Sequence, residues 1–489
     1  MRSAIAVVLI FASFQSLDCL NDIANSRLNY FDIDLLRYSA EEKVGNVMVS
    51  PASIKSTLAM LLEGAQGTTA AEIRTALRLS PDKEDFREEL RFFLQALEVN
   101  TSSVSLQNAN GLFVSKNLQL KKNYEMMVKR YYFSDVNGVD FNDPKTAADA
   151  INGWVSARTK GLIPTIIDQA HINSMTELIV TNALYFKSTW LHEFESKLTH
   201  GDCFYKEGVC KTVAMMDLEA KLNYAYVENL RAHALELPYQ GEQYSMILLV
   251  PQDRDAGVAL IRDLPYIGLL QISKLMEPTD VILTMPKFTV EYNDDMVAAL
   301  KKMRITTLFT PAANLSGIFE SSSSAYLNSI YHTVYMTVDE KGTVAAAASA
   351  GSVVPLINDQ VQLRVDRPFL FFIRDNRKGL VLFEGKIEEP TEFVPINKEK
   401  GQIQPIQPIS TLSQSNPSQT ILRAPNPIQI HQVILQPTES RPVSSQPPTN
   451  PPITNQPISN QPTPELTSTS TPPRRNGGNW YKKLSGYFG

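Results

Sequence analysis

The stretch from Pro368 to Ile387, PFLFFIRDNRKGLVLFEGKI, limits the possible folds more than any other part of the chain. Two nearly unbroken apolar runs flank Asp375 to Gly379, whose composition is that of a hairpin turn. A strand with one wet face alternates apolar and polar residues, so runs of this kind require a sheet covered on both faces. Upstream, from about residue 176, the runs LIVTNALYF, YSMILLVP and DVILTMPKF have the same character. Cover for such a sheet comes from helices, and the N-terminal half supplies them. LNYFDIDLLRYSAEE sets Leu28, Phe31, Leu35 and Leu36 at helical spacing. SPASIKSTLAMLLEGA has an N-cap candidate in Ser50, a first-turn proline in Pro51 and a stop in Gly64. Between about residues 22 and 390 these signals alternate without a long linker, so one domain of mixed α and β structure is expected.

Composition changes after Pro395. Sixteen of the 30 prolines lie beyond Lys400, interleaved with Gln, Ser, Thr and Asn. A segment so poor in apolar surface cannot offset its ordering entropy, and residues 396–489 are expected to form an extended tail, partly polyproline II. At the other end, Arg2, the apolar run Ala4 to Ala12 and a more polar stretch to Asp18 have the layout of a signal peptide over residues 1–18. That run is too short to span a bilayer. A secreted, extracellular protein with no membrane role is expected, and a net charge of -5 gives no push toward nucleic acid. Cys203 and Cys210 flank the turn material of FYKEGV, and in an oxidising compartment a disulfide closing a hairpin is favoured over two free thiols. His200 stands nearby, but a fourth ligand at metal spacing is missing, so no metal is expected. Asn100, in NTS, is a glycosylation acceptor candidate, whereas Asn314, in NLS, is expected to be less accessible.

Signatures of catalysis are missing: there is no G-x-S-x-G elbow, no H-E-x-x-H, no P-loop and no nucleotide-binding glycine fingerprint. No cofactor and no enzymatic activity are expected. His332, inside the strand-like SIYHTVYMTVDE, fits a buried imidazole held by polar partners better than a general base. Just beyond it, EKGTVAAAASAGSVVPLIN, from Glu340 to Asn358, mixes helix-favouring alanines with strand-favouring valines and threonine, and local propensity does not settle its conformation.

Seven separate stretches, in one order and spacing, resemble the serpins, a family of serine-protease inhibitors. They are NVMVSPASI (from Asn46), AMLLEGAQGTTAAEI (from Ala59), TNALYFKSTW (from Thr181), MPKF (from Met285), NLSGI (from Asn314), HTVYMTVDEKGTVAAAASA (from His332) and RPFLFFIRDNRKGLVLFEGKI (from Arg367). The resemblance implies an α+β serpin fold over residues 22–395, with a large central sheet, further sheets, about nine helices and an exposed reactive-centre loop. It also implies a mechanism in which a protease cleaves the loop, is acylated, and is trapped as the freed loop inserts into the central sheet as an extra strand. Glu340, Gly342, Thr343, Ala345, Ala346, Ala347 and Ala348 match the loop hinge. Ser50, Ser53, Asn182 and His332 match the polar cluster that governs sheet opening, and Trp190, Lys287 and Glu340 match the place where the loop enters, with an expected salt bridge from Lys287 to Glu340.

The chemistry of the loop agrees with insertion. From Thr343 to Val354 there is no proline and no charge; Thr343, Ala345, Ala347, Ser349 and Gly351 fall on one face of a strand, Val344, Ala346, Ala348 and Ala350 on the other. An inhibitor is therefore favoured over a non-inhibitory binding or carrier protein. The family's loop length puts the reactive bond between Leu356 and Ile357, with Val354 and Pro355 as the alternative. No Lys or Arg lies between Lys341 and Arg364, so chymotrypsin-like, elastase-like or subtilisin-like serine proteases are the expected targets, and trypsin-like ones are not. SPDKEDFREELRFFLQAL mixes charges and presents no basic face, so heparin activation is not expected. A monomer is expected.

Overall fold

A computed structural model describes residues 30–395 except 42, 80–86, 88–98, 102–103, 133, 265–267, 321–324 and 344–359. The signal-peptide candidate, the tail, Ala345 to Ala348 and the bonds at Val354–Pro355 and Leu356–Ile357 lie outside the described residues, as does nearly all of SPDKEDFREELRFFLQAL.

In chain order the described strands are β1 (Val47–Val49), β2 (Val99–Asn100), β3 (Val104–Ser115), β4 (Asp135–Val139), β5 (Leu178–Thr189), β6 (His200–Lys206), β7 (Val209–Val227) and β8 (Ala232–Pro238). They continue as β9 (Tyr244–Pro251), β10 (Glu277–Pro286), β11 (Phe288–Asp295), β12 (Ser329–Asp339), β13 (Gly342–Thr343), β14 (Val361–Arg364), β15 (Phe369–Asp375) and β16 (Leu380–Ile387). One sheet runs β11-β12-β13-β5-β3-β2, with β4 added on β3; the other runs β1-β16-β15-β9-β8-β7-β10-β14, with β6 added on β7.

Every residue of β9 and β16 is buried, as expected for strands covered on both faces. DVILTMPKF departs from the expectation: β10 alternates buried Val281, Leu283 and Met285 with half-buried Ile282 and Thr284, because one face of the sheet is partly open to solvent there. Between β15 and β16 the chain turns on Asp375, whose Oδ1 accepts the N–H groups of Arg377 and Lys378, an Asx turn. On β5 the period of two divides the packing. Leu178, Val180, Leu184 and Phe186 join the main core, while Ile179 and Ala183 face the cluster formed with Ile151 and Val155 of the helix Pro144–Arg158.

The helix Pro51–Gly64 lies in the main core against β16, β3 and β5, and all of its residues are buried. Ser50 caps it by accepting the Ser53 N–H at 3.3 Å, and Pro51 takes the first turn, where no amide donor is needed. Its polar residues must then find partners inside the protein, and they do so at the seam described below.

Candidate functional site

β12 and β5 are parallel neighbours from Ser329 opposite Ile179 to Tyr335 opposite Tyr185. Beyond that point β13 enters between them, with Thr343 opposite Val338 on one side and Ser188 on the other. The first residues of the EKGTVAAAASA segment are thus already a strand at one end of an otherwise closed seam.

At that end the geometry is set by close backbone approach. Gly342 has φ +149°, and a Cβ there would lie 2.2 Å from the Ser188 carbonyl oxygen, so only glycine fits. Thr343 is fully buried, and its hydroxyl is 2.9 Å from that of Tyr239. The Tyr239 ring stacks on Trp190 at 4.4 Å, and the Trp190 indole N–H donates to the Asp339 carbonyl at 3.0 Å. Lys287 holds both Glu340 carboxylate oxygens, at 3.0 and 2.8 Å, and the Thr199 hydroxyl donates to one of them at 2.7 Å. Burial pushes the Glu340 carboxyl up, but these hydrogen bonds outweigh it and hold the group below the usual glutamate range.

Halfway down the seam, His332 and Asn182 are direct cross-strand partners, and Asn182 in turn pairs with Asn110 of β3. A row of polar side chains therefore crosses three strands on the face turned to the helix Pro51–Gly64. The Ser50 backbone N–H donates to His332 Nε2 at 3.0 Å, which fixes the proton on Nδ1, where it is donated to Asn182 Oδ1 at 2.6 Å. Asn182 Nδ2 donates to Asn110 Oδ1 at 2.6 Å and to the hydroxyl of Ser53, which also contacts Asn110. The Ser50 hydroxyl donates to the Leu382 carbonyl at 2.7 Å and so ties the cluster to β16. Burial drives the His332 pKa down to about 3, so the ring is neutral and its hydrogen-bond roles are fixed. Neutrality also suits a ring facing a helix N-terminus.

Of the residues the sequence assigned to three groups, the structure brings Ser50, Ser53, Asn182 and His332 together in mid-seam and Trp190, Lys287, Glu340, Gly342 and Thr343 together at its open end, with the Lys287–Glu340 salt bridge present. Sequence reading missed Asn110, although an asparagine inside the strand QNANGLF carried the same signal as Asn182 in TNALYF. Tyr239 and Thr199 were missed with no local signal to find them.

Away from the seam, Cys203 and Cys210 are bonded to each other across the β6–β7 hairpin, whose two-residue turn places Glu207 and Gly208 at positive φ. Asn100 ends β2. Asn314 corrects an expectation: it is exposed, because the NLSGI motif buries Leu315 and Ile318 and turns the asparagine outward.

In this two-sheet fold the seam between β12 and β5 holds the two residues of β13 at one end and is closed below it. A family model described as "Serpin (serine protease inhibitor)" matches residues 26–390, and the chain belongs to this family. It is 36% identical over 372 residues to intracellular coagulation inhibitor 1 of Tachypleus tridentatus, covering 74% of this chain and 88% of that protein. To the leukocyte elastase inhibitor of Xenopus tropicalis it is 34% identical over 374 residues, covering 75% and 99%. Serpin48 of the insect Tenebrio molitor, a solved structure described as a highly specific serpin, superposes with a TM-score of 0.67 at 28% identity, covering 74% of this chain and 97% of the other. Serpins are protease inhibitors and in general not catalysts.

Proposed function

We propose that this protein is a secreted inhibitor that acts as a suicide substrate, trapping chymotrypsin-like, elastase-like or subtilisin-like serine proteases by cleavage near Leu356–Ile357 and insertion of the loop between β12 and β5. The observation that carries the reading is β13, a two-residue strand antiparallel to both neighbours at the end of the seam. Its register can be carried forward along β5. Gly342 faces Thr189 and Thr343 faces Ser188, so continuation would set Ala345 opposite Phe186, Ala347 opposite Leu184, Ser349 opposite Asn182 and Val353 opposite Leu178, filling β5 to its end. Facing residues of antiparallel strands share a side of the sheet. The residues turned toward the main core would then be Thr343, Ala345, Ala347, Ser349 and Gly351, all small, and the one hydroxyl in mid-strand would meet the polar row at Asn182.

In this mechanism Glu340, Gly342 and Thr343 are the hinge, Lys287 and Trp190 hold the entry point, and the His332–Asn182 bond is a latch that must part as the strand goes in. The relative named for elastase inhibition and the lack of a basic residue in the loop support the choice of target. Incubation of the full chain with chymotrypsin or a neutrophil-type elastase is expected to give a complex that survives boiling in detergent, with the new N-terminus at Ile357. Clean cleavage without that complex would overturn the inhibitory reading. Secretion is tested by expressing the complete gene in a eukaryotic host and sequencing the N-terminus of the product in the medium.

A further inference from the structure

Among the buried charged residues outside the seam, three stand together in one group. Lys55 is two residues beyond Ser53 on the helix Pro51–Gly64, about 200° of helical rotation away, and it forms an ion pair with Asp32 of the helix over residues 30–40. Glu384 of β16 completes the group and feels both. Asp32, Lys55 and Glu384 are 1%, 1% and 0% exposed, so no water-facing side is left to any of them. The surroundings are apolar: Phe31 stands beneath the Lys55 ammonium at 5.7 Å, and Val49 and Phe372 are the strand partners of Glu384 in β1 and β15.

Other charged groups on the same elements face elsewhere. Asp34 answers to Arg37 and Arg78, and Lys386 is engaged with Glu388 and the Lys43 carbonyl. The charge acting on Asp32 is Lys55, and the charges acting on Glu384 are Asp32 and Lys55, with the Leu36 backbone N–H as its polar neighbour. Two ionised carboxylates beside one ammonium would leave a net negative charge in a dry core. A single proton removes it, leaving one ion pair and one neutral carboxyl able to donate a hydrogen bond.

We propose that the folded chain takes up one proton from solvent and holds it between Asp32 and Glu384, so that mild acid tightens the packing of the helix over residues 30–40 and of β16 onto the helix Pro51–Gly64. Because the Ser50 hydroxyl bonds to Leu382, two residues from Glu384, the same packing supports the polar row at the seam. The proposal holds whether or not the loop traps a protease. Burial lifts Asp32 to about 6 and Glu384 well above its usual value. A carboxyl raised on folding binds more protons folded than unfolded. Its contribution is full below the unfolded value of about 4 and is lost as pH rises through the folded value.

The test compares urea unfolding of the full-length protein with that of Asp32→Asn and Glu384→Gln between about pH 5 and about pH 8. Each variant is expected to gain on the wild type as pH rises, the ratio of their unfolding constants changing about tenfold per pH unit while one proton is being released. Curves parallel to the wild type for both variants would overturn the proposal. Infrared spectroscopy of the wild type alone gives a second reading that needs no variant to fold. A protonated carboxyl band is expected at about pH 6 that fades on going well above neutrality, and its absence at the acid end is equally fatal to the idea.

Discussion

The seam between β12 and β5 is held at two places by opposite chemistry. At the entry end, charge is used: Lys287 and Glu340 form an ion pair whose side chains keep 29% and 10% exposure, beside the stacked rings of Trp190 and Tyr239. In mid-seam the described network is neutral: His332, Asn182, Asn110, Ser53 and Ser50 are all buried and joined by hydrogen bonds. An ion at the rim keeps part of its hydration and can let go at small cost, whereas a neutral network inside exchanges partners without ever stranding a charge. Under the proposed mechanism, in which the sheet opens from the rim inward, that division serves both ends of the seam. The largest test of it lies where the two meet the loop. Thr343→Arg puts a guanidinium into a fully buried position facing Tyr239, and the detergent-stable complex with chymotrypsin is expected to fall at least about tenfold while loop cleavage continues, because a buried unpaired charge keeps the strand out. Trapping at the wild-type level would break the link between β13 and function.

Removing the mid-seam latch comes next in size. His332→Phe keeps the bulk but leaves the Ser50 N–H and the Asn182 carbonyl oxygen without their partner, for an expected loss of about 2–4 kcal/mol of unfolding free energy in urea. The same ring makes a signed prediction with pH. Its folded pKa of about 3 lies below the ordinary 6.5, so the folded state binds fewer protons and stability falls as pH drops below the unfolded value. His332→Phe is expected to remove that acid sensitivity. The buried Asp32–Lys55–Glu384 group has the opposite sign, so the wild-type curve is the sum of two opposed slopes, and the variants separate them.

How much of this could be read in advance followed from how far apart the partners lie. The helix Pro51–Gly64 announced itself through Ser50, Pro51 and Gly64, all within one stretch, and the β15–β16 hairpin did the same through Asp375. Gly342 and Thr343 were picked out through the resemblance of HTVYMTVDEKGTVAAAASA to a family motif, since the local propensity of that segment left its conformation open. Tyr239 was not legible, because it reaches Thr343 across 104 residues of chain and a tyrosine after a strand has many possible uses. Thr199 meets Glu340 across 141 residues for the same reason. The exposure of Asn314 went against the expectation drawn from its place inside a family motif, because the alternation of that motif buries Leu315 and leaves Asn314 and Ser316 outside.

At the rim a smaller effect is expected. Lys287→Met leaves Glu340 with the Thr199 hydroxyl, and the partial exposure of the pair limits the loss to about 1 kcal/mol at low salt. Added salt should narrow the gap between wild type and variant, since the Coulomb part of the pair is screened, and it should leave the His332→Phe gap unchanged. A Lys287→Met loss that ignores salt would mean that the rim is held by packing on Trp190 and Tyr239 and not by charge.

The smallest effect sharpens the comparison, because it asks whether the neutral network is rebuilt after the seam opens. Carried forward from the β13 pairs, the register would set Ser349 opposite Asn182 in the proposed inserted form, where its hydroxyl would take up the bond that Asn182 gives up when β12 moves away. Ser349→Ala removes that hydroxyl without adding bulk, so the uncleaved protein should melt as the wild type does. The cleaved, inserted form should lose about 1 kcal/mol, the usual net worth of one buried hydrogen bond. Differential scanning calorimetry of cleaved and uncleaved samples reads both. Equal melting of the two cleaved forms would place Ser349 away from Asn182 and shift the inserted register, whereas a loss confined to the cleaved form would tie the mid-seam polar row to both states of the sheet.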